Sequence, residues 1–289
     1  MKNFLHVIHD YPGDIAGTEV IAAIAAHLPE GWHWKETPVP AMDTLSTGFA
    51  VEQLALQRPP LCPANMKLFV NCAPRKDRRT ARRNNEGEGL VFCRLDNGVE
   101  LIAVNSGYSL SWIRDHIVEM RDCNCPLGGS QFRSRDYFPA ILGQLTAGDL
   151  SFLGKRLRPK QVIPAPVRGQ IRHRDNFGNM KTDFREGDRE LQVLRPGERI
   201  RININGVVRA ATVATGNFNV DDGDIAFAPG SSGHDRRYWE IFLRGGSAWQ
   251  LWDQPRIGSR ISFEKGSSYG ARTEGAERRP PRRRSNRAR

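Results

Sequence analysis

The stretch Phe4-Leu5-His6-Val7-Ile8 is a short apolar run that ends in the polar turn His9-Asp10-Tyr11-Pro12-Gly13-Asp14. Helical spacing of apolar residues follows over 17–28. An apolar run, a polar turn and a helical pattern in this order are typical of the first unit of a parallel α/β sheet. We therefore expect a strand, a loop and a helix at the start of the chain.

The same pattern recurs along the first half of the chain. It predicts further strands at 32–36, 67–70, 89–93 and 100–104, and helices at 46–56 and 136–147. We expect these elements to form an α/β N-terminal domain with a mostly parallel central sheet, covering residues 1–158.

The pattern changes after a basic, proline-containing segment. Pro164 and Pro166 mark a predicted linker over 159–168. Beyond it, apolar and polar residues alternate over 199–206, 207–213 and 239–243, with glycine turns between them. Period-two alternation favours a small antiparallel β-barrel as the C-terminal domain, over 169–268.

The composition excludes several classes of protein. Among the 289 residues, no apolar run approaches the ~20 residues that a membrane helix needs. The first ten residues are too polar for a signal peptide, so we expect a cytoplasmic protein without membrane contact. Five cysteines, an odd number, argue against a disulfide framework. Cys123 and Cys125 have no second Cys or His pair at ligand spacing, so no metal site is expected.

The net charge of +11 is concentrated at the end of the chain. Residues 271–289 contain eight arginines against two glutamates. We expect 269–289 to be disordered, because so polar a segment buries too little surface to offset its ordering entropy. Such a tail binds nucleic acids nonspecifically through counterion release, and the alternative is a solvated appendage without a partner.

Polar clusters follow several of the predicted strands, where open α/β folds bind their ligands. They are Asp10 with Asp14, the segment 71–83, and Asn105-Ser106-Gly107. A carboxylate at such a position accepts hydrogen bonds from ribose hydroxyls, and it serves equally as a helix cap. In the second half, Arg174-Asp175-Asn176-Phe177-Gly178-Asn179 offers a ring to stack on a base and an amide for an adenine edge. The alternative is a hairpin turn with a buried Phe.

Taken in order, these elements resemble the S-adenosylmethionine hydroxide adenosyltransferase family, whose superfamily includes fluorinases and chlorinases. The specific parts are Asp175-Asn176-Phe177-Gly178-Asn179 and Phe132-Arg133-Ser134-Arg135-Asp136. Further segments support the resemblance by their order and spacing along the chain: His9-Asp10-Tyr11, Pro38–Asp43, Asn71–Arg79, Val104–Gly107 and Arg244–Ala248.

The resemblance implies a homotrimer with each site between the N-terminal domain of one subunit and the C-terminal domain of the next. It implies nucleophilic substitution at the ribose C5′ of S-adenosylmethionine, which is the substrate, with no cofactor. Water or halide displaces methionine and yields adenosine or 5′-halo-adenosine. The implied substrate-binding residues are Asp10 for the ribose hydroxyls, Phe177, Asn179, Gly245 and Gly246 for adenine, Asp175 and Arg236 for the methionine portion, and Asn105.

The chain departs from this family where the nucleophile is activated. Hydrolysing members place an Asp, an Arg and a His around the attacking water, and these positions here are Asn71, Arg78 and Arg133. Ser134 stands where fluorinases carry a halide-binding serine. An asparagine amide and a guanidinium are not proton acceptors, so the aligned catalytic residues lack a general base. Losing such a base costs roughly 10²–10⁴ in rate.

Two functions therefore stay open. The first is cleavage of S-adenosylmethionine by the family route. The second is a catalytically degenerate homologue that binds adenosine or a nucleotide, or acts in assembly. A cation such as Arg133 at about 6 Å from the sulfonium costs roughly 2.8 kcal/mol at an effective dielectric of about 20, which favours an anionic ligand.

Deleting residues 271–289 is expected to abolish nonspecific binding of single-stranded RNA and its steep salt dependence, because the deletion removes eight arginines. Fluorescence anisotropy at low and moderate salt measures both quantities. Binding that is unchanged by the deletion, or independent of salt, would contradict a nucleic-acid role for the tail.

Overall fold

The computed structural model describes residues 2–58, 61–76 and 79–265. The predicted disordered tail, 269–289, lies outside the described residues, as does Arg78. None of the helices in the described part of the chain has the length and apolar character that crossing a bilayer requires.

The first half of the chain builds a seven-stranded sheet covered by helices. Its strands are β1 (Asn3–His9), β2 (Trp32–Pro38), β3 (Asn65–Asn71), β4 (Leu90–Leu95), β5 (Glu100–Val104), β6 (Ile117–Cys123) and β7 (Leu153–Arg156). Its helices are α1 (Ile15–His27), α2 (Thr44–Ala55), the short α3 (Arg133–Asp136), α4 (Phe138–Ala147) and the short α5 (Pro159–Val162). The spatial order of the strands is β2-β1-β3-β5-β4-β6-β7.

Aspartates begin the two helices that follow β1 and β2. The Asp14 carboxylate accepts a hydrogen bond from Ala16 N at 3.1 Å, and Asp43 accepts from the backbone N–H groups of Leu45 and Ser46, each at 3.0 Å. Both therefore satisfy donors that a helix N-terminus leaves unpaired.

Successive residues of each strand alternate between the two faces of this sheet. Phe69 of β3 packs with α1 and α4 on one face, where Val20 and Leu142 are buried. Its neighbours Leu68 and Val70 pack on the other face, with the buried residues of α2. The alternation explains why β3 is apolar at consecutive positions, since it has no solvent-facing side.

The expectation of a mostly parallel N-terminal sheet is wrong. Among the described strands, β1–β2, β1–β3 and β3–β5 pair in parallel, whereas β5–β4, β4–β6 and β6–β7 pair antiparallel. The reason lies in the connection between β4 and β5, which contains only Asp96-Asn97-Gly98-Val99. A connection this short joins antiparallel strands only, because parallel strands need a crossover of a dozen residues or more.

The second half of the chain forms another seven-stranded sheet. Its strands are β8 (Ile171–Arg174), β9 (Met180–Arg185), β10 (Arg199–Ile204), β11 (Val207–Val213), β12 (Ile225–Pro229), β13 (Tyr238–Leu243) and β14 (Ile261–Lys265), with one short helix, α6 (Ala248–Leu251). Their spatial order is β14-β10-β11-β12-β13-β9-β8. Ile200, Ile202 and Ile204 of β10 are fully buried on its inner face.

The expected small antiparallel barrel is also wrong. The second sheet has as many strands as the first, and β11 pairs with β12 in parallel. The sheet curls without closing into a continuous ladder, since Gln170 and Arg260, beside its two edge strands, meet only in an isolated bridge. Alternation of apolar and polar residues identifies strands that have one buried face. It carries no information on the direction in which strands pair or on whether the sheet closes into a barrel.

The segment predicted as a linker, 159–168, contains the short helix α5. The Ile163 side chain directly after it is buried in the core of the first sheet, beside Val70 and Leu101.

A buried cluster of charged and aromatic side chains joins the two halves. Glu52 of α2 lies 3.0 Å from the Arg172 guanidinium and accepts a hydrogen bond from the Tyr238 hydroxyl at 2.5 Å. Arg185 donates to the other oxygen of this carboxylate. Arg172 is fully buried and lies over the Trp112 ring at 3.9 Å.

A close approach of α2 to the Trp112 loop makes this cluster possible. A Cβ on Gly48 would lie 2.6 Å from the Trp112 ring, so only glycine fits at this point of the helix. Phe49, the next residue, stacks on His173 of β8 at 4.6 Å. Helix α2 is thus the element of the first half on which the second sheet rests.

Substituting Glu52→Ala is expected to reduce the free energy of unfolding by about 3–5 kcal/mol, because it leaves a buried guanidinium without its counter-ion. Urea denaturation of the full chain measures this loss. The control Glu30→Ala, at an exposed glutamate, should change stability by less than about 0.5 kcal/mol. A loss below about 1 kcal/mol for Glu52→Ala would contradict the role assigned to the cluster.

Candidate functional site

A cavity of about 610 Å³ opens beside the carboxyl ends of β1 and β3. Parallel pairing in the register His9 to Asn71 brings these two strand ends to the same edge of the sheet. The residues around the polar centre of this cavity are Tyr11, Asn71, Glu88, Phe132, Arg133 and Ser134.

The Tyr11 hydroxyl connects two of the predicted catalytic residues. It lies 2.9 Å from Ser134 Oγ and accepts a hydrogen bond from Asn71 Nδ2 at 3.3 Å. The Phe132 ring meets the Tyr11 ring edge-to-face at 5.9 Å and holds it in place. Asn71 and Ser134 are both buried, so this chain of amide, phenol and hydroxyl is a fixed polar wall of the cavity.

Arg133, the first residue of α3, is buried beside this wall. Its Nε donates to Pro126 O at 3.0 Å and its Nη1 donates to Glu88 O at 2.8 Å. The guanidinium also lies over the Phe138 ring at 5.0 Å, whereas Nη2 has no hydrogen-bond partner in the described part of the chain. Arg133 therefore crosslinks the walls of the cavity, and its Nη2 amino group has no partner among the described residues.

Asp10 is buried next to the cavity but does not line it. Its backbone N–H donates to Asn71 O at 3.2 Å, and its Oδ2 accepts from Met42 N at 3.1 Å. The predicted substrate residue Asn105 points elsewhere, because its Nδ2 donates to Val162 O at 3.3 Å. Among the predicted site residues of the N-terminal half, Asn71, Arg133 and Ser134 share one cavity. Asp10 adjoins this cavity, and Asn105 does not.

The predicted adenine-binding turn connects β8 and β9. Asp175 Oδ1 accepts hydrogen bonds from the backbone N–H groups of Phe177 and Asn179, each at 3.0 Å, and Oδ2 accepts from Asn179 Nδ2 at 2.9 Å. The Phe177 ring is 79% exposed. The alternative of a buried Phe in a hairpin is therefore wrong, since the turn presents its ring to solvent.

The segment directly after Gly245 and Gly246 contacts this turn. The two glycines follow β13, whose residue Ile241 pairs with Met180 at the start of β9. Trp249 N, shortly after them, donates to Gly178 O at 2.9 Å. Phe177, Asn179 and the two glycines thus gather at one edge of the second sheet.

Sequence reasoning missed a second exposed ring at this edge, Phe218. It is 83% exposed, and Arg244 lies over its ring at 5.8 Å. Backbone bonds between Arg244 and the residues Gly223 and Asp224 hold the Phe218 loop beside Gly245. The loop breaks the period-two pattern between β11 and β12, so the sequence carried no signal for its position.

Arg236 is not near Asp175 within the chain. It precedes β13, and the β9–β13 register places Tyr238 opposite Arg185, at the far end of the ladder from Met180. There it donates to Asp188 Oδ1 at 2.7 Å and to Glu186 O at 3.1 Å. Asp175 and Arg236, which the resemblance assigns to the methionine portion, therefore do not meet inside one protomer.

Buried charges underlie the β8–β9 turn. Lys181 Nζ lies 2.7 Å from Glu240 Oε2 and 3.8 Å from Asp175 Oδ2. Burial raises the pKa of Glu240 in spite of this lysine. Burial also lowers the pKa of His173 to about 4, with Lys181 acting in the same direction. Burial raises the pKa of Cys72, beside Asn71, to about 12.

The same fold occurs in two solved structures. An uncharacterized conserved protein from Thermotoga maritima superposes with a TM-score of 0.70 at 18% identity, over 90% of this chain and 99% of that chain. A conserved hypothetical protein from Thermus thermophilus superposes with a TM-score of 0.64 at 19% identity, over 91% and 100%. No family model matches the sequence, and no curated protein matches it. At such low identity these likenesses show the fold alone.

No group of three or more His, Cys, Asp or Glu side chains able to hold a metal ion occurs among residues 2–58, 61–76 and 79–265. The polar groups of the cavity are amides, hydroxyls, carboxylates and guanidinium groups. They are suited to orienting a small polar molecule or an anion through hydrogen bonds.

Stability is expected to fall as the pH drops from about 6.5 to about 4. In this window the unfolded chain protonates His173, while the folded chain, with the pKa lowered to about 4, does not. The shift corresponds to roughly 3 kcal/mol. In His173→Phe, which keeps a ring on Phe49, thermal denaturation across this range should lose most of that dependence. An unchanged pH dependence in this variant would contradict the assignment.

Proposed function

We propose that the protein cleaves S-adenosylmethionine by nucleophilic substitution at the ribose C5′, releasing methionine. The product is adenosine or a 5′-halo-adenosine, according to the nucleophile. One observation carries the proposal: Asn71, Arg133 and Ser134, which are 62 positions or more apart between strand and helix, share a single cavity. Their convergence is what the family resemblance requires of them.

In this reaction Ser134 and the Tyr11 hydroxyl orient the nucleophile, because they are fixed to each other and to Asn71. Asp10, next to the cavity, holds the ribose hydroxyls. As the C5′–O or C5′–halogen bond forms, the C5′–S bond breaks and its electron pair goes to sulfur, which becomes the neutral thioether of methionine. No cofactor takes part.

The adenine ring belongs between Phe177, Asn179 and the Gly245-Gly246 backbone of a neighbouring subunit. The exposure of Phe177 and Phe218 supports this arrangement, because large apolar side chains exposed to solvent are typical of interfaces or ligand sites. No residue of the 175–179 turn lines the cavity of its own protomer. A homotrimer, as the resemblance implies, would bring the two halves of the site together.

A second function is favoured by a different observation. The aligned positions carry the Asn71 amide and the Arg133 guanidinium, and neither accepts a proton. A protein that binds adenosine or a nucleotide without turning it over is consistent with these two residues.

Incubation with S-adenosylmethionine, with and without chloride, separates these functions. Chromatography should show methionine together with adenosine or 5′-chloro-adenosine above the buffer control. Tyr11→Phe should lower the rate about 2–10-fold, since it removes one hydrogen-bonding hydroxyl and keeps the ring. The exposed control Glu30→Gln should retain the wild-type rate.

The absence of product over a day would overturn cleavage. Calorimetric titration with adenosine, S-adenosylmethionine and ATP then tests the binding function, and light scattering tests the trimer. If the protein is a binding homologue, Asn71→Asp combined with Arg133→His should introduce hydrolysis that the natural chain lacks.

A further inference from the structure

Glu88 is a buried carboxylate in the cavity that has no side-chain partner among the described residues. The residue is 5% exposed and lines the same cavity as Asn71 and Ser134. Its Oε1 is buried without a hydrogen-bond partner among the described residues. A buried, unpaired carboxylate oxygen is costly, and native structures rarely keep one without a reason.

Two backbone–backbone hydrogen bonds and one from a side chain place Glu88 at the cavity. Gly87 N donates to Leu127 O at 2.9 Å, and Asn105 N donates to Gly89 O at 3.0 Å. Between them, Glu88 O accepts from Arg133 Nη1 at 2.8 Å. A Cβ on Gly87 would lie 2.6 Å from that same Nη1, so the chain passes close to the guanidinium only because residue 87 is glycine.

The carboxylate is not explained as one half of an ion pair. Within the described chain, Glu88 has no cationic side-chain nitrogen within 4.0 Å of its oxygens, although Arg133 binds its backbone carbonyl and keeps Nη2 unpaired. The Glu88 carboxylate and the Arg133 guanidinium therefore both line the cavity without forming a side-chain ion pair with each other. Such an arrangement suits a site that handles a polar reactant between them.

We propose that Glu88 is the general base of the reaction. The inference rests on the proposed function, and it supplies the proton acceptor that Asn71 and Arg133 are unable to provide. A water molecule attacks C5′, the new bond is C5′–O, and the bond that breaks is C5′–S. The electron pair of that bond goes to sulfur, and the proton of the water goes to the Glu88 carboxylate, which later releases it to solvent.

Arg133 is a positioning residue in this scheme. It holds the Glu88 carbonyl and the Pro126 carbonyl, and so fixes the segment that carries the base. The negative charge of Glu88 also offsets the positive charge that Arg133 presents to the sulfonium of the substrate. Arg133 stands at the position where the hydrolysing enzymes carry a histidine. Here it supports the base instead of acting as an acid or base itself.

The test compares the wild-type protein with Glu88→Gln, which keeps shape and removes proton acceptance. Adenosine formation from S-adenosylmethionine should fall by about 10²–10⁴-fold in kcat, with KM changed far less. The exposed control Glu30→Gln should match the wild type. Thermal unfolding of Glu88→Gln should occur at the same or a higher temperature, because a buried unpaired charge is removed.

Two further readouts separate a base from a residue that only shapes the cavity. The acid limb of the wild-type pH–rate profile should be absent in Glu88→Gln. The other charged and titratable residues lining the cavity are Tyr11, Asp14, Arg75, Arg82, Glu86 and Arg133, and all of them stay in the variant. Added azide, an anion that needs no deprotonation, should restore methionine release and yield 5′-azido-adenosine.

The outcomes distinguish this inference from the function on which it rests. If the wild type forms no adenosine, the proposed cleavage by water fails. If the wild type forms adenosine and Glu88→Gln retains more than about a third of that rate, the cleavage stands and the role of Glu88 is overturned. A slow variant that azide does not rescue would likewise overturn it.

Discussion

The Glu52 carboxylate is the contact on which the arrangement of the two sheets depends. Both of its oxygens are used: one by Arg185, the other by Arg172 and the Tyr238 hydroxyl. All three partners belong to the second sheet, whereas Glu52 belongs to helix α2 of the first half. Because the guanidinium of Arg172 is fully buried, it cannot leave the carboxylate for water without losing the contact between the halves. The surrounding rings of Trp112 and Tyr238 extend the contact into an apolar surface.

The contact around Glu52 determines where the cavity and the exposed edge of the second sheet lie. Helix α2 follows β2 and packs on the face of the first sheet opposite to α1 and α4, while the cavity opens between β1, β3 and α3. The second sheet therefore sits on the α2 side, and its exposed edge with Phe177 and Phe218 contributes no residue to the cavity of the same protomer. The cavity and this aromatic edge are therefore separate surfaces of one protomer.

The sequence predicts the elements better than their pairing. The N-terminal strand, α1, α2, β3 and β10 all lie where apolar periodicity places them, because that periodicity reports which face is buried. The direction of pairing was missed, although Asn97-Gly98 is a common hairpin signal and limits β4 and β5 to an antiparallel pair. Strand β6, Ile117–Cys123, carries three charged residues and was not predicted at all. In the site, motif order led to Asn71, Arg133 and Ser134. Glu88 had no motif, and its place at the cavity depends on long-range hydrogen bonds to the segment 87–89, one of them from Arg133.

Two of the buried carboxylates, Glu52 and Glu88, show how differently one fold treats the same group. Glu52 has every oxygen paired and joins two halves, as a structural charge must if it is to repay its desolvation. Glu88 is nearly as buried, yet Oε1 is unpaired while an unpaired N–H of Arg133 lines the same cavity. A side-chain ion pair between them would remove both costs, and the bond from Arg133 to the Glu88 carbonyl instead directs the guanidinium to the backbone. Folding alone gives no reason for this arrangement, because an ion pair between the two side chains would remove both costs. A reaction that needs a free carboxylate and a fixed cation in one cavity does give one, since stability is commonly lower where reactive groups are kept available.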